Sequence, residues 1–143
     1  MSILQSSLSA TGGFPNPNHI AAHMTPKVRG AVFSILQSYL SATAGFPAGS
    51  RWLDLFSGTG AVGLEGMSRG CDEAHFVEAD PWVVERCLGK NIAACGAEYH
   101  TTVHTQFVEA FLRRVQDAPD SVGGAFDFIS VTPPYEKVRE RRA

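Results

Sequence analysis

Arg51-Trp-Leu-Asp54-Leu-Phe56-Ser-Gly58-Thr-Gly60-Ala-Val-Gly63 decides how this 143-residue chain folds. Its first six positions make the short apolar run of a buried parallel strand. The glycines then fall where such a strand must turn sharply into a helix, because glycine takes positive φ without a Cβ clash and lets a ligand come close to the backbone. The helix is predicted over 61–69. Downstream, the pattern repeats: a strand over 74–78; a helix opened by Asp80-Pro81 and carrying Val83, Val84, Cys87, Leu88 and Ile92; a third strand over 99–105; a helix over 107–115; and a fourth strand over 126–131. Upstream, Thr25 opens a helix with Pro26 at a favoured early position. Val28, Ala31, Val32, Ile35, Leu36, Tyr39 and Leu40 follow at helical spacing, and Gly-Phe-Pro-Ala-Gly-Ser at 45–50 ends it. Strands alternating with helices predict an α/β fold with a mostly parallel sheet of about four strands and right-handed crossovers.

A chain of this length fits one domain. Hydrophobic residues at 44% and charged residues at 18% place it among globular proteins. No run approaches a membrane span, and the start lacks the basic and apolar segments of a secretory signal. Cys71, Cys87 and Cys95 form neither a C-x-x-C pair nor an even set, so they read as free thiols. The five histidines lack metal-ligand spacing, and no metal is expected; His100 and His104 could share a strand face. Arg113-Arg114 reads as a solvated helix face. The net charge is −2, but residues 1–53 hold no acid, and Lys137, Arg139, Arg141 and Arg142 cluster near the end, where they could contact phosphates. Residues 2–15 recur almost unchanged as 34–47, with no third copy, which excludes a solenoid. Residues 1–18 therefore read as a weakly structured extension of the domain over 19–143. The extension is Ser-rich like an organelle transit peptide, but it lacks that class's arginines.

Gly58-x-Gly60-x-x-Gly63 fits the dinucleotide fingerprint, a pattern that on its own does not choose a ligand. Glu78 ends the next strand twenty residues after Gly58, where its carboxylate can accept hydrogen bonds from both ribose hydroxyls, so the pair points to an adenosine-containing ligand. Two features move that ligand from NAD toward S-adenosylmethionine (SAM). Asp54 could order the glycine turn or reach the ammonium of an amino-acid tail, whereas a pyrophosphate would gain nothing from an anion there. Thr132-Pro133-Pro134-Tyr135 follows the fourth strand at the sheet edge where open α/β folds bind ligands. Its prolines fix outward carbonyls without competing amides, and the tyrosine can stack on a base.

These stretches, together with Thr25-Pro-Lys-Val-Arg29 and the run Leu64-Glu65-Gly-Met-Ser-Arg69-Gly after the glycine turn, resemble the RsmD-type small-subunit ribosomal RNA guanine-N2 methyltransferases over about residues 24–136. The resemblance implies a Rossmann-like SAM-dependent enzyme. Asp54, Gly58 and Gly60 would cradle the methionine part, Glu78 would hold the ribose, Asp80 and Trp82 would lie near the adenosine, and Phe56 would also belong to the cofactor site. Thr25 and Arg29 would meet RNA. Thr132 and the Pro133 carbonyl would orient the target amine, Pro134 would stiffen the loop, and Tyr135 would stack on the base. It also implies ribosomal RNA or the assembling small subunit as partner, a monomer without membrane contact, and the cytoplasm or, for an organelle form, a plastid or mitochondrion. The chain departs from the family in three respects. Thr132 stands where Asp or Asn is usual, either Gln106 or Glu109 would have to meet the adenine, and the family continues through about three strands beyond Tyr135, so the fourth strand is expected to expose an apolar edge. The alternative readings are a catalytically impaired SAM- or RNA-binding fragment and, from another class, an NAD-dependent oxidoreductase.

Overall fold

In the computed structural model, which describes residues 24–40 and 45–134, the Arg51–Leu55 run is the strand β1 and alternates as its period of two demands. Trp52 and Asp54 face one layer of helices, Leu53 and Leu55 the other. The elements after it are α2 (Ala61–Ser68), β2 (Glu73–Glu78), α3 (Pro81–Val83), a π-helical turn (Val84–Leu88), α4 (Gly89–Ala94), β3 (Thr101–Thr105), α5 (Val108–Asp117) and β4 (Phe128–Val131); α1 (Pro26–Tyr39) precedes it. The four strands are parallel in the order β3-β2-β1-β4, the predicted α/β architecture. Residues 1–18, Tyr135 and the basic cluster at 137–142 lie outside the described residues.

One face of the sheet packs Phe33, Phe46, Trp52, Leu64, Phe76 and Leu88 into a core. Trp52 stacks between Phe33 and Phe128, with ring centroids 5.1 and 5.4 Å away. Gly66 on α2 is required by this stack, since a Cβ there would stand 2.8 Å from the indole. The other face packs Leu53, Leu55 and Val77 against Val108 and Phe111 of α5. Among the described residues, no helix is long and apolar enough to cross a membrane.

The structure corrects several local expectations. α1 turns Phe33 and Arg29 inward and leaves Val28, Ile35 and Tyr39 exposed, so the aliphatic spacing marked the wrong face. The third strand starts at Thr101 because Glu98–His100 forms a 3₁₀ turn, which takes His100 off the strand. The fourth starts at Phe128, because Asp127 is spent accepting the Arg51 amide at 2.8 Å. β4 bonds only to β1 among the described residues, and Ile129 and Val131 on its far face are 57% and 56% exposed, the apolar flank expected there.

Candidate functional site

The carboxyl ends of β1, β2, β3 and β4 converge on the glycine turn. β1 leaves the sheet through Phe56 at φ 59°, then Gly58 at 53° and Gly60 at 80°. Positive φ is costly for phenylalanine, of order 1 kcal/mol or more, and such strain persists only where the surroundings impose it. Gly60 is the N-cap of α2, and its amide donates to the Ser57 carbonyl at 2.8 Å. A Cβ on Gly60 would lie 2.5 Å from Leu88 Cδ1, and one on Gly63 would lie 2.5 Å from Phe76 Cε1. The turn therefore lies tight on the core, with Ser57, Thr59 and Gly60 buried and Gly58 half-buried.

Two carboxylates hold this turn from below and from the side. Asp54 is fully buried; its Oδ2 accepts the Gly63 amide at 3.0 Å and its Oδ1 accepts the Ser130 hydroxyl at 2.8 Å. Of the two roles open to Asp54 from sequence, ordering the loop is the one its contacts serve. Burial raises its pKa to about 7, and the nearby Glu78 charge adds to the rise, while Ser130 and Gly63 oppose it. Glu78 accepts the Gly58 amide on one oxygen at 3.0 Å and the Asp80 amide on the other at 2.9 Å, so it ties the turn to the start of α3. Asp80 caps α3 by accepting the Trp82 amide at 2.9 Å, and the Trp82 ring is 42% exposed beside it. Just past β3, Gln106 donates its backbone amide to the Glu78 carbonyl at 3.1 Å. Its side-chain Nε2 is buried without a hydrogen-bond partner among the described residues. A buried amide donor without a partner costs about 1–3 kcal/mol. At the end of β4, the Thr132 amide donates to the Leu55 carbonyl and its hydroxyl to the Phe56 carbonyl, both at 3.4 Å, with Pro133 and Pro134 half-buried after it.

Of the two residues expected at RNA, Arg29 is turned inward and Thr25 stays exposed at the start of α1. Arg29 is 5% exposed, with its guanidinium 3.6 Å from Glu65, which also takes Arg69 at 2.8 Å. It fastens α1 to α2 and is withdrawn from any phosphate. The Thr25 hydroxyl is the N-cap of α1, accepting the Val28 amide at 3.3 Å.

The sequence reading missed three features. Ser130 gives its hydroxyl to Asp54; the signal for it was its place two residues before Thr132, which fixes its register with Asp54. Asn91, a lone amide on an apolar helix face, donates to the Thr59 carbonyl at 2.9 Å and is buried. On the opposite face of the sheet, Arg114 meets His104 at 3.0 Å, His104 meets His75 at 3.0 Å, and His75 meets Glu73 at 2.6 Å. A single arrangement satisfies this row with both rings neutral: each Nε2–H donates onward and each Nδ1 accepts. The shared strand face expected for His100 and His104 gives way to it, while Arg114 stays exposed on its helix as expected. Among the described residues, no group of three His, Cys, Asp or Glu could hold a metal ion.

Residues 20–142 match the family model described as conserved hypothetical protein 95. The chain belongs to that family. Over 88 residues it is 31% identical to the ribosomal RNA small subunit methyltransferase D of Haemophilus influenzae, covering 60% of this chain and 42% of that one. The family resemblance read from the motifs is thereby borne out. A conserved hypothetical protein of Streptococcus pyogenes has a solved structure that matches at a TM-score of 0.60 and 32% identity, over 77% of this chain and 59% of its own. The O-methyltransferase of Bacillus cereus, solved in complex with SAH, matches at a TM-score of 0.60 and 16% identity over 89% and 50%, and shares the fold. The chain spans about half the length of the curated relatives it matches.

Proposed function

We propose that this chain binds SAM at the glycine turn and forms part of an enzyme that methylates the exocyclic N2 amine of a guanine in small-subunit ribosomal RNA. The observation that carries the cofactor assignment is the Glu78 carboxylate at the end of β2 with Gln106 at the neighbouring end of β3, whose buried Nε2 has no partner among the described residues. A carboxylate beside a donor suits a nucleoside, whose ribose offers two hydroxyls and whose adenine offers ring-nitrogen acceptors. On this reading Gln106 is favoured over Glu109 for the base. Gly58 and Gly60 keep the turn at positive φ, and a Cβ on Gly60 would strike Leu88 in the core, so this shape of the turn depends on glycine.

When bound, the cofactor would supply an electrophilic methyl on a sulfonium. The residues of this chain would do the rest by placement. Glu78 would exchange its Gly58 and Asp80 amides for ribose hydroxyls, and Trp82 would cover the adenosine from its exposed position. Thr132, with its hydroxyl hydrogen directed at Phe56, keeps lone pairs free to accept one amine hydrogen, and the Pro133 carbonyl would accept the other. The amine lone pair is then aimed at the methyl. Such alignment can contribute about 7–11 kcal/mol to lowering a barrier. The RNA substrate is supported by the name of the Haemophilus relative, and Tyr135 would stack on the base.

Calorimetric titration with SAM and with NAD tests the cofactor; NAD binding without SAM binding refutes it. Tritiated-methyl transfer to under-methylated small subunits, by this chain and by a version extended at its C-terminus, tests the reaction. Transfer by neither, with SAM bound by both, would favour the impaired-fragment reading, and recovery in Thr132→Asp would assign the defect to that residue.

A further inference from the structure

Beneath the glycine turn, β4 supplies a side chain that the cofactor reading leaves without a role. Ser130 stands opposite Asp54 in the β1–β4 register. Its hydroxyl oxygen accepts the Trp52 indole N–H at 2.9 Å, and its hydrogen is directed to Asp54 Oδ1 at 2.8 Å, the Leu53 carbonyl being farther at 3.5 Å. With one lone pair taken by an indole that is itself locked in the aromatic core, the hydroxyl is held as a donor to the carboxylate. We propose that Ser130 is a positioning residue: oriented by Trp52, it holds Asp54 in its ionised form and so makes the glycine turn competent for a cationic nucleoside cofactor at neutral pH. The inference rests on the reading of the turn as a SAM site.

The surroundings of Asp54 make Ser130 decisive. β2 brings the Glu78 carboxylate, whose charge opposes ionisation of Asp54, and burial opposes it more strongly. α2 brings the Gly63 amide to the other oxygen, while its nearest acid in sequence, Glu65, is held by Arg29 and Arg69. Ser130 and Gly63 are thus the two groups that favour the anion. SAM carries a sulfonium and an ammonium, so its binding above this carboxylate favours ionised Asp54. By linkage, affinity then rises as pH climbs through the titration of Asp54. Removing a hydrogen bond to the charged form moves that titration upward.

The test is the pH profile of SAM affinity between pH 5.5 and 9.5, by calorimetry on the full chain. In Ser130→Ala the rise should move up by about one pH unit, giving roughly tenfold weaker binding near pH 7 and near wild-type affinity at the alkaline end. Ser130→Thr, which keeps the hydroxyl, should restore the profile, and Asp54→Asn should lack the rise. Weakening of Ser130→Ala by one factor at every pH, or an unchanged profile, overturns the proposal. Absence of SAM binding by wild type at every pH overturns the cofactor reading and the proposal with it. The pH midpoint of unfolding, compared between wild type and Ser130→Ala, then still shows whether Ser130 governs Asp54.

Discussion

Replacing Asp54 by asparagine should make the protein more stable at alkaline pH and change its stability by only about 1 kcal/mol near pH 4.5. Asp54 is buried without a cation among the described residues, and its carboxyl titrates near 7 in the fold against 3.8 as a free group. A pKa raised on folding contributes stability that is fully present below the unfolded value and is lost as pH rises through the folded value. Between those limits the wild type should lose about 1.4 kcal/mol per pH unit, which amounts to roughly 4 kcal/mol above pH 8. The asparagine has no proton to lose. It can also be satisfied in place: its oxygen accepts the Gly63 amide, its NH₂ donates to Ser130, and the Ser130 hydroxyl turns to the Leu53 carbonyl. Urea unfolding of both proteins at half-unit steps from pH 4.5 to 9 isolates Asp54, because all other titrations are shared and cancel in the difference. The asparagine variant should gain on the wild type through pH 7 and level off. A constant difference across the range would refute the reasoning, since it would mean that Asp54 is ionised at all these pH values despite its burial.

Gln106→Met should be neutral to stabilising by about 1 kcal/mol in urea unfolding, because an unpaired buried donor is removed. The same variant should bind SAM at least tenfold more weakly; an equal loss of stability and affinity would mean that Gln106 has a structural partner. His104 is held low, near 4, by burial first and then by His75 and Arg114, so the fold keeps it neutral while the unfolded chain takes up a proton below its ordinary value of 6.5. Relative to His104→Gln, the wild type should therefore lose about 2 kcal/mol between pH 7 and pH 4, after allowance for partial exposure; parallel unfolding curves at the two pH values would contradict this. Ile129→Thr with Val131→Thr should cost under about 1 kcal/mol, as both side chains are more than half exposed, and should reduce self-association in light scattering. A loss above 2 kcal/mol would show that both are covered.

The glycine turn and the parallel sheet were legible because they depend on local constraints. A strand that must turn on Gly58 and Gly60, followed by an acid at Glu78, leaves few geometries, and parallel pairing follows from the helices between strands. The face of α1 was not legible. Aliphatic spacing marked Val28, Val32 and Ile35, yet the buried positions are Phe33, which stacks on Trp52, and Arg29, which meets Glu65. An arginine inside a helix reads as solvated until its carboxylate partner is known. The Leu64-Glu65-Gly-Met-Ser-Arg69 signature is legible as a pattern, but its physical basis lies in long-range contacts: Glu65 joins Arg29 and Arg69, while Gly66 clears the Trp52 ring. Ser130 went unread because its place two residues before Thr132 gains meaning only once β4 is paired with β1. The histidine row was hidden for the same reason, as His75 and His104 are 29 residues apart.

The strand order explains why the acid at β1 and the loop after β4 belong to one site. In β3-β2-β1-β4 the chain first moves outward from β1 to β3 and then crosses back to the other side of β1, so the order reverses between β1 and β4. At such a reversal the connections leave in opposite directions and open a crevice at the carboxyl ends, which is where ligands of open α/β sheets bind. The backbone of β1 lines that crevice on both sides. Its Leu55 and Phe56 carbonyls receive Thr132, its Asp54 receives Ser130, and its turn receives Glu78 from the opposite neighbour. A displacement of β4 by one residue would carry Ser130 to the other face of the sheet and Thr132 away from Phe56 together. The glycine turn and the Thr132-Pro133-Pro134 loop are thus coupled through strand register, and a substitution that acts on one by loosening β4 acts on both.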